Sequence, residues 1–319
     1  MIKKKSIVIL LIMIFIGGLI VSLSGITFAA EKRYKIVLVA HSTGVAFWVP
    51  VKKGMEDAAK LLGVDASFVG PLGFNVQEQR DILENVIESG VDGLGVTLPD
   101  PEAFDAPVKR AIDMGIPVVC FNTDDNTPNA RMARIMRDEV EAGRVWARQI
   151  VKLIGNEGKV ALLTEAPGQI SLEQRLKGAR EILDKTNIKY TILNTTTDRT
   201  TAMGVIESYY MANPDVDGFF SVDTTGTPAA ALFIKREGLK GKVVSGGFDL
   251  TPVTLKAIKD GYCAFTIDQN PYTQGWYTVQ TLYLYLKYGI YPANIDTRSG
   301  IVDASNVDQV MKLAEEGYR

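Results

Sequence analysis

From Lys35 onward, short apolar runs rich in β-branched residues alternate with longer stretches of helical period, the pattern of βαβ units around parallel sheets. The runs predict strands at Lys35–Ala40, Ala66–Val69, Gly93–Thr97, Pro117–Phe121, Lys159–Leu163, Tyr190–Leu193, Gly218–Val222, Val243–Ser245 and Ala264–Ile267. Between them, Val51, Met55, Ala58 and Leu62 share one face of a helix after the first strand. Val279, Tyr283 and Leu286 do the same near the C-terminal end. Nearly all of these positions read as core packing.

The pattern repeats faintly. Val91-Asp92-Gly93 precedes one strand and Val216-Asp217-Gly218 another. After each, a helix leads to a further strand that ends in a polar group, Asn122 in the first half and Asp249 in the second. The shared order of elements, more than the three-residue match, predicts two similar α/β lobes.

At 319 residues the chain has room for two domains at roughly 100–200 residues each. A hydrophobic content of 46% excludes disorder, and a net charge of −2 gives no basic surplus for neutralising phosphates, so nucleic acid is not an expected partner. Residues 1–29 read as a signal peptide: Lys3, Lys4 and Lys5, an apolar run from Ile7 to Val21, then small residues at Ala29 and Ala30. The run is also long enough for an uncleaved anchor, and either reading exports the remainder to the periplasm or another extracytoplasmic space. Cys120 and Cys263 each sit in an apolar run and read as buried small hydrophobes, a poor pair for a disulfide.

In an open parallel sheet, ligands bind beyond the carboxyl ends of the strands. Those positions are polar here: His41-Ser42-Thr43-Gly44, Pro99-Asp100, Asn122-Thr123-Asp124-Asp125, Thr164-Glu165, Asp223-Thr224-Thr225 and Asp249. Carboxylates accept, guanidiniums donate and amides do both, which suits a neutral polyhydroxyl ligand, and Phe47-Trp48 offers an aromatic wall for its C–H face. A helix cap is the commoner role for a lone strand-end Asp. The single histidine, His41, cannot support a convincing catalytic triad, no Cys/His cluster suggests a metal, and no Gly-rich phosphate loop follows a strand. Neither catalysis nor a cofactor is expected.

Read together, the ordered motifs FWVPVKKGMEDAAKLLG, VDGLGVT, IPVVCFN, RDEVEAGR, DGFFSVDTT, GGFDLTP and FTIDQNPYTQGW resemble the ribose-binding type of type I periplasmic sugar-binding proteins of ABC importers. The resemblance covers about residues 31–319. It implies two Rossmann-like α/β lobes with parallel sheets joined by a three-crossing hinge, with crossings near Arg137-Asp138, Gln269-Asn270 and Asp296. The N-terminal lobe would be 31–137 plus 270–296, and the C-terminal lobe 138–269 plus 297–319.

By motif match, the resemblance assigns Phe47 and Trp48 to the aromatic pair around a sugar ring, Arg175 to a hydroxyl-binding guanidinium, Asp249 to the main carboxylate and Gln269 to a hinge-side amide. The sequence departs from ribose binders at Val45, at Asn122-Thr123 and at Asp223, where they carry asparagine, an Asp-Arg pair and asparagine. With His41, Val45 and Trp48 near one end of the ligand, the departures point to a less polar pentose such as methylthioribose. The resemblance implies a monomer that captures a small neutral sugar and hands it to an ABC transporter permease. A sugar sensor for a membrane receptor and an exported sugar-active enzyme are the alternatives.

Overall fold

The computed structural model describes residues 32–319 apart from 46, 101 and 126. The segment read as a signal peptide therefore lies outside the described residues. Tyr34–Arg319 form one compact unit built on two six-stranded sheets.

The strands are β1 (Lys35–Val39), β2 (Asp65–Val69), β3 (Gly93–Val96), β4 (Val118–Phe121), β5 (Ala133–Met136), β6 (Glu157–Thr164), β7 (Asn187–Asn194), β8 (Gly218–Ser221), β9 (Val244–Phe248), β10 (Phe265–Asp268), β11 (Ile295–Asp296) and β12 (Gly300–Asp303). The first sheet has the order β11-β5-β4-β3-β1-β2 and is parallel throughout. The second has the order β12-β10-β9-β8-β6-β7, with β12 antiparallel to β10. Every residue of β3, β4, β8 and β10 is buried, because helices cover both faces of a parallel sheet. This is why these strands read as continuous apolar runs.

The helices are α1 (Trp48–Leu62), α2 (Val76–Glu88), α3 (Asp105–Asp113), α4 (Glu139–Ile154), α5 (Ile170–Leu183), α6 (Arg199–Ala212), α7 (Gly226–Arg236), α8 (Pro252–Asp260), α9 (Pro271–Tyr288) and α10 (Val307–Glu315). The predicted face of α1 is the buried one: Val51, Met55 and Ala58 pack with Val279 and Leu282 of α9 around β1 and β4.

Two helix pairs are built alike. A Cβ on Gly54 of α1 would lie 2.0 Å from the Tyr272 carbonyl oxygen, and one on Gly275 of α9 would lie 2.0 Å from that of Val51. In the second lobe a Cβ on Gly178 of α5 would lie 1.9 Å from the Val140 oxygen, and one on Gly143 of α4 would lie 2.0 Å from that of Arg175. Only glycine lets the backbones approach so closely. The contact joins the helix after each sheet's leading strand to the helix that enters from the other sheet. It therefore fixes where the start of each helix, and any side chain there, meets the gap between sheets.

The chain passes between sheets at residues 137–138, 269–270 and 297–299, in each case between an element of one sheet's layer and an element of the other. These crossings lie side by side. The Thr297 N–H donates to the Met136 carbonyl at 3.2 Å, Asn270 Nδ2 donates to the Thr297 carbonyl at 2.8 Å, and Thr297 Oγ1 donates to the Gln269 carbonyl at 3.4 Å. Arg319 adds a clamp, with Nη1 at 2.7 Å from both Asp268 Oδ2 and Asn270 Oδ1. Both cysteines are free and buried, Cys120 in the core of the first sheet and Cys263 in that of the second.

Candidate ligand-binding cleft

Two residues break the backbone geometry at matching places. Asn122 follows β4 with φ 64°, and Asp249 follows β9 with φ 69°. The left-handed region is costly for most side chains and most accessible to Asn and Asp, whose short polar groups can bond locally. Each backbone N–H still donates to the neighbouring strand, Asn122 to the Ile135 carbonyl at 3.1 Å and Asp249 to the Ile267 carbonyl at 3.0 Å. The strand ends there in a held turn beside the crossings.

Asp249 is 6% exposed and receives Gln269 Nε2 on Oδ1 and Thr224 Oγ1 on Oδ2, both at 2.5 Å. Gln274 of α9 ties this group to the first lobe: its Nε2 donates to the Gln269 carbonyl at 3.2 Å, and its Oε1 accepts Asn122 Nδ2 at 3.1 Å. Thr123 Oγ1 closes the chain on Asn122 Oδ1 at 2.8 Å. Asp249, Gln269, Asn122 and Thr123 thus form one buried hydrogen-bonded series across the second crossing.

Arg175 enters from the first turns of α5. Its Nε donates to Glu139 Oε2 at 2.7 Å, its Nη1 donates to the Val222 carbonyl at 2.6 Å, and its guanidinium lies 4.6 Å over the Phe248 ring. Arg137, at the first crossing, binds Glu139 through Nε and Nη2 at 2.9–3.1 Å and covers the same ring at 5.0 Å. Burial alone would raise the Glu139 carboxyl, but the two guanidiniums hold it below its ordinary range. Burial likewise opposes the charge of Arg175, and Glu139 and Asp249 more than restore it.

Asp223 has less to offer a ligand than its position suggested. Its Oδ1 accepts the N–H groups of Thr225 at 3.0 Å and Gly226 at 2.6 Å, and its Oδ2 accepts that of Glu165 at 2.7 Å. It caps the start of α7, and the strand-end carboxylate is consumed by backbone. Burial, with the nearby Glu165 adding to it, pushes the Asp223 carboxyl up to about 7.

On the first lobe the structure separates the aromatic pair. Trp48 is 1% exposed and packs among Phe68, Phe121 and Phe47, with its indole N–H on Ser42 Oγ at 3.1 Å. It is a core residue, whereas Phe47 beside it is partly exposed. His41 lies edge-on to Trp48 at 5.3 Å and to Phe74 at 5.7 Å, with Nδ1 3.2 Å from Thr97 Oγ1. Burial lowers its pKa to about 4, so the imidazole is neutral at physiological pH. Val45 is joined to this group through backbone, its carbonyl accepting the Trp48 N–H at 3.2 Å, but its side chain is 54% exposed.

The geometry also brings in Glu139, Gln274 and Phe248, which the sequence reading did not single out, together with Arg137, read there only as a crossing, and Thr224, read there only as one of the polar strand-end positions. The available signal was RDE in the crossing motif, three charged residues set against an apolar strand end. Among the described residues no helix is long and apolar enough to cross a membrane, and no group of His, Cys, Asp and Glu is arranged to hold a metal ion.

Two α/β layers joined by three adjacent crossings, with converging donors and acceptors at the facing strand ends, define a bilobal solute-binding protein of type I architecture. Residues 36–289 match the periplasmic binding protein domain family, and the chain belongs to that family. It is 33% identical over 297 residues to the xylose/arabinose-binding protein XylF of Sulfolobus acidocaldarius, covering 87% of this chain and 73% of that protein. It is 30% identical over 264 residues to the D-allose-binding periplasmic protein of Escherichia coli, covering 80% and 83%. Among solved structures, an ABC transporter solute-binding protein from Burkholderia graminis in complex with D-arabinose superimposes with a TM-score of 0.81 at 29% identity, covering 88% of this chain and 98% of that one.

Proposed function

We propose that this chain is an exported binding protein that captures a neutral monosaccharide of the pentose class between its lobes and delivers it to an ABC importer. The observation that carries the reading is the convergence of Arg175, Asp249 and Gln269 at the second lobe's strand ends, a guanidinium fork beside a carboxylate and an amide. Such a set matches sugar hydroxyls, each of which donates and accepts. The similarity to the xylose/arabinose-binding and D-arabinose-bound proteins supports a pentose. Phe47 and the neutral His41 supply the apolar side, and Asn122 and Thr123 the polar side, of the opposing lobe.

Residues 31–137 with 270–296 form one lobe and 138–269 with 297–319 the other, and they close over the ligand by bending at the three crossings. Closure makes every buried polar group require a partner, and this is the source of specificity. Residues 1–29 direct export and are removed. The ligand leaves unaltered.

Mass spectrometry of small molecules released on denaturing the purified protein, followed by calorimetric titration with xylose, arabinose, ribose, allose, glucose and methylthioribose, tests the reading. A pentose bound with a dissociation constant at or below about 10 μM is the expected result. Failure of every sugar to bind, or conversion of any of them to product, overturns it.

A further inference from the structure

Glu139 makes no contact that a helix-opening acid needs. The cap of α4 is Asp138, whose side chain accepts the Glu141 N–H at 2.9 Å. Glu139 is instead 3% exposed and faces inward between two guanidiniums, with Arg137 at 1% and Arg175 at 5%. Both cations lie against Phe248, the residue before Asp249.

The cluster is donor-rich. One carboxylate serves two guanidiniums, and Arg137 Nη1 is buried with no hydrogen-bond acceptor among the described residues. Replacing such an ion cluster with apolar residues of similar volume is often neutral or stabilising, so burying it is poor design for stability alone. Its geometry has another effect. With Nε of Arg175 fixed on Glu139 and Nη1 on the Val222 carbonyl, the rotation of the planar guanidinium is set, and Nη2 is the edge left uncommitted. The two guanidiniums are also fully matched by carboxylates: Glu139 and Asp249 face them, Asp223 adds its field at Arg175, and Asp268 lies within reach of Arg137. A site matched in this way accepts a neutral ligand and leaves no cation over for an acidic one.

We infer that Glu139 is the positioning and specificity-determining residue of the cleft, orienting Arg175 and cancelling the second guanidinium so that neutral sugars are selected over sugar acids. The inference rests on the proposed sugar-binding function. The carboxylate acts through Arg175 and does not itself touch the ligand.

The test uses the full chain with arginine side-chain Nε–Hε NMR signals and titration with D-xylose and D-glucuronate, which adds a carboxylate to the same ring pattern. In the unaltered protein, sharp and slowly exchanging signals from Arg137 and Arg175 are expected, with xylose preferred. Glu139→Gln should broaden the Arg175 signal, weaken xylose at least about 30-fold and reduce the xylose-to-glucuronate preference at least about tenfold. The charge-balanced double variant Arg137→Met/Glu139→Gln guards against misfolding: its melting temperature should recover while xylose affinity should not. Glu139→Asp should retain the preference. If the double variant binds xylose within about threefold of the unaltered protein, or if the Arg175 signal is unchanged without Glu139, the inference is overturned. Should the unaltered protein bind no sugar, the proposed function falls, and the Nε–Hε signals still decide whether Glu139 positions Arg175.

Discussion

Asp92 and Asp217 do the same thing in the two halves of the molecule. Asp92 Oδ2 accepts the N–H of Lys35, the first residue of β1, at 2.8 Å, and Asp217 Oδ2 accepts that of Lys159, near the start of β6, at 2.8 Å. Each Asp also returns its own N–H to the same lysine's carbonyl, at 2.8 and 2.7 Å. The pair locks each sheet's leading strand to the third strand of its βαβαβ run.

The duplication predicts matched energetics. Asp92→Asn and Asp217→Asn should each lower unfolding stability by about 1 kcal/mol, the worth of a charge-assisted bond that is partly exposed. The two effects should add in the double variant, because the sites share no partner. Urea titration followed by circular dichroism reads this, and a strongly unequal pair would separate the roles of the two residues.

Asp249→Asn keeps a residue that tolerates φ 69° but removes the negative charge and one of the two oxygens that accept separately from Gln269 and Thr224. Sugar affinity should fall by about 2–3 kcal/mol, roughly 30- to 150-fold, while the melting temperature stays within a few degrees. Calorimetry on the folded variant is the measurement. Affinity within about threefold of the unaltered protein would remove Asp249 from the site.

The glycines divide by surroundings. Gly178→Ala should cost about 1–3 kcal/mol or more, since the new Cβ meets the Val140 backbone at 1.9 Å. Gly204→Ala should add about 0.5–1 kcal/mol, because that glycine sits within α6 and nothing lies within 4 Å of the added Cβ. Thermal unfolding of both variants gives the opposite signs.

His41 has a folded pKa of about 4 against an ordinary 6.5. The folded state resists its protonation, so its contribution to stability is full above pH 6.5 and is lost as pH falls toward 4. Asp223, raised to about 7, acts in the reverse direction, contributing most below its ordinary 3.8 and losing that as pH rises. The His41 part is isolated by subtraction: stability of the unaltered protein minus that of His41→Gln should decline between pH 6.5 and 4. A flat difference would mean the imidazole is hydrated.

Burial raises both thiols, Cys263 to about 12 and Cys120 well above its ordinary value. Neither should react with a thiol reagent until denaturant is added, and reductant should leave the melting temperature unchanged. Rapid labelling of the native protein would contradict the buried placement.

The parallel core was legible because strands covered on both faces are spelled as unbroken apolar runs. The peripheral strands were not. β5 carries an exposed Arg134 within four residues, β11 has only Ile295 and Asp296, and β12 runs antiparallel at an edge. Gly246 and Gly247 hid the second half of β9, although glycine is required there: a Cβ on either would meet Phe265 or Thr227. In the site, Arg175, Asp249 and Gln269 stood out by motif and lie together at the second lobe's end of the gap. Trp48 and Asp223 were equally prominent in sequence, yet the core took one and a helix start took the other. Glu139 was hidden by its position, since an acid at the first turn of a helix is ordinarily explained by the helix dipole.

The crossings at 137–138, 269–270 and 297–299 are stitched to one another through Thr297. For the proposed closure, three short bridges pinned in a row would behave like a door on several hinge pins, permitting swing about one line and resisting twist and slide. Each half would then return to the same alignment at every closure. A few buried donors and acceptors can then tell one ring stereochemistry from another without any loop having to rearrange around the guest.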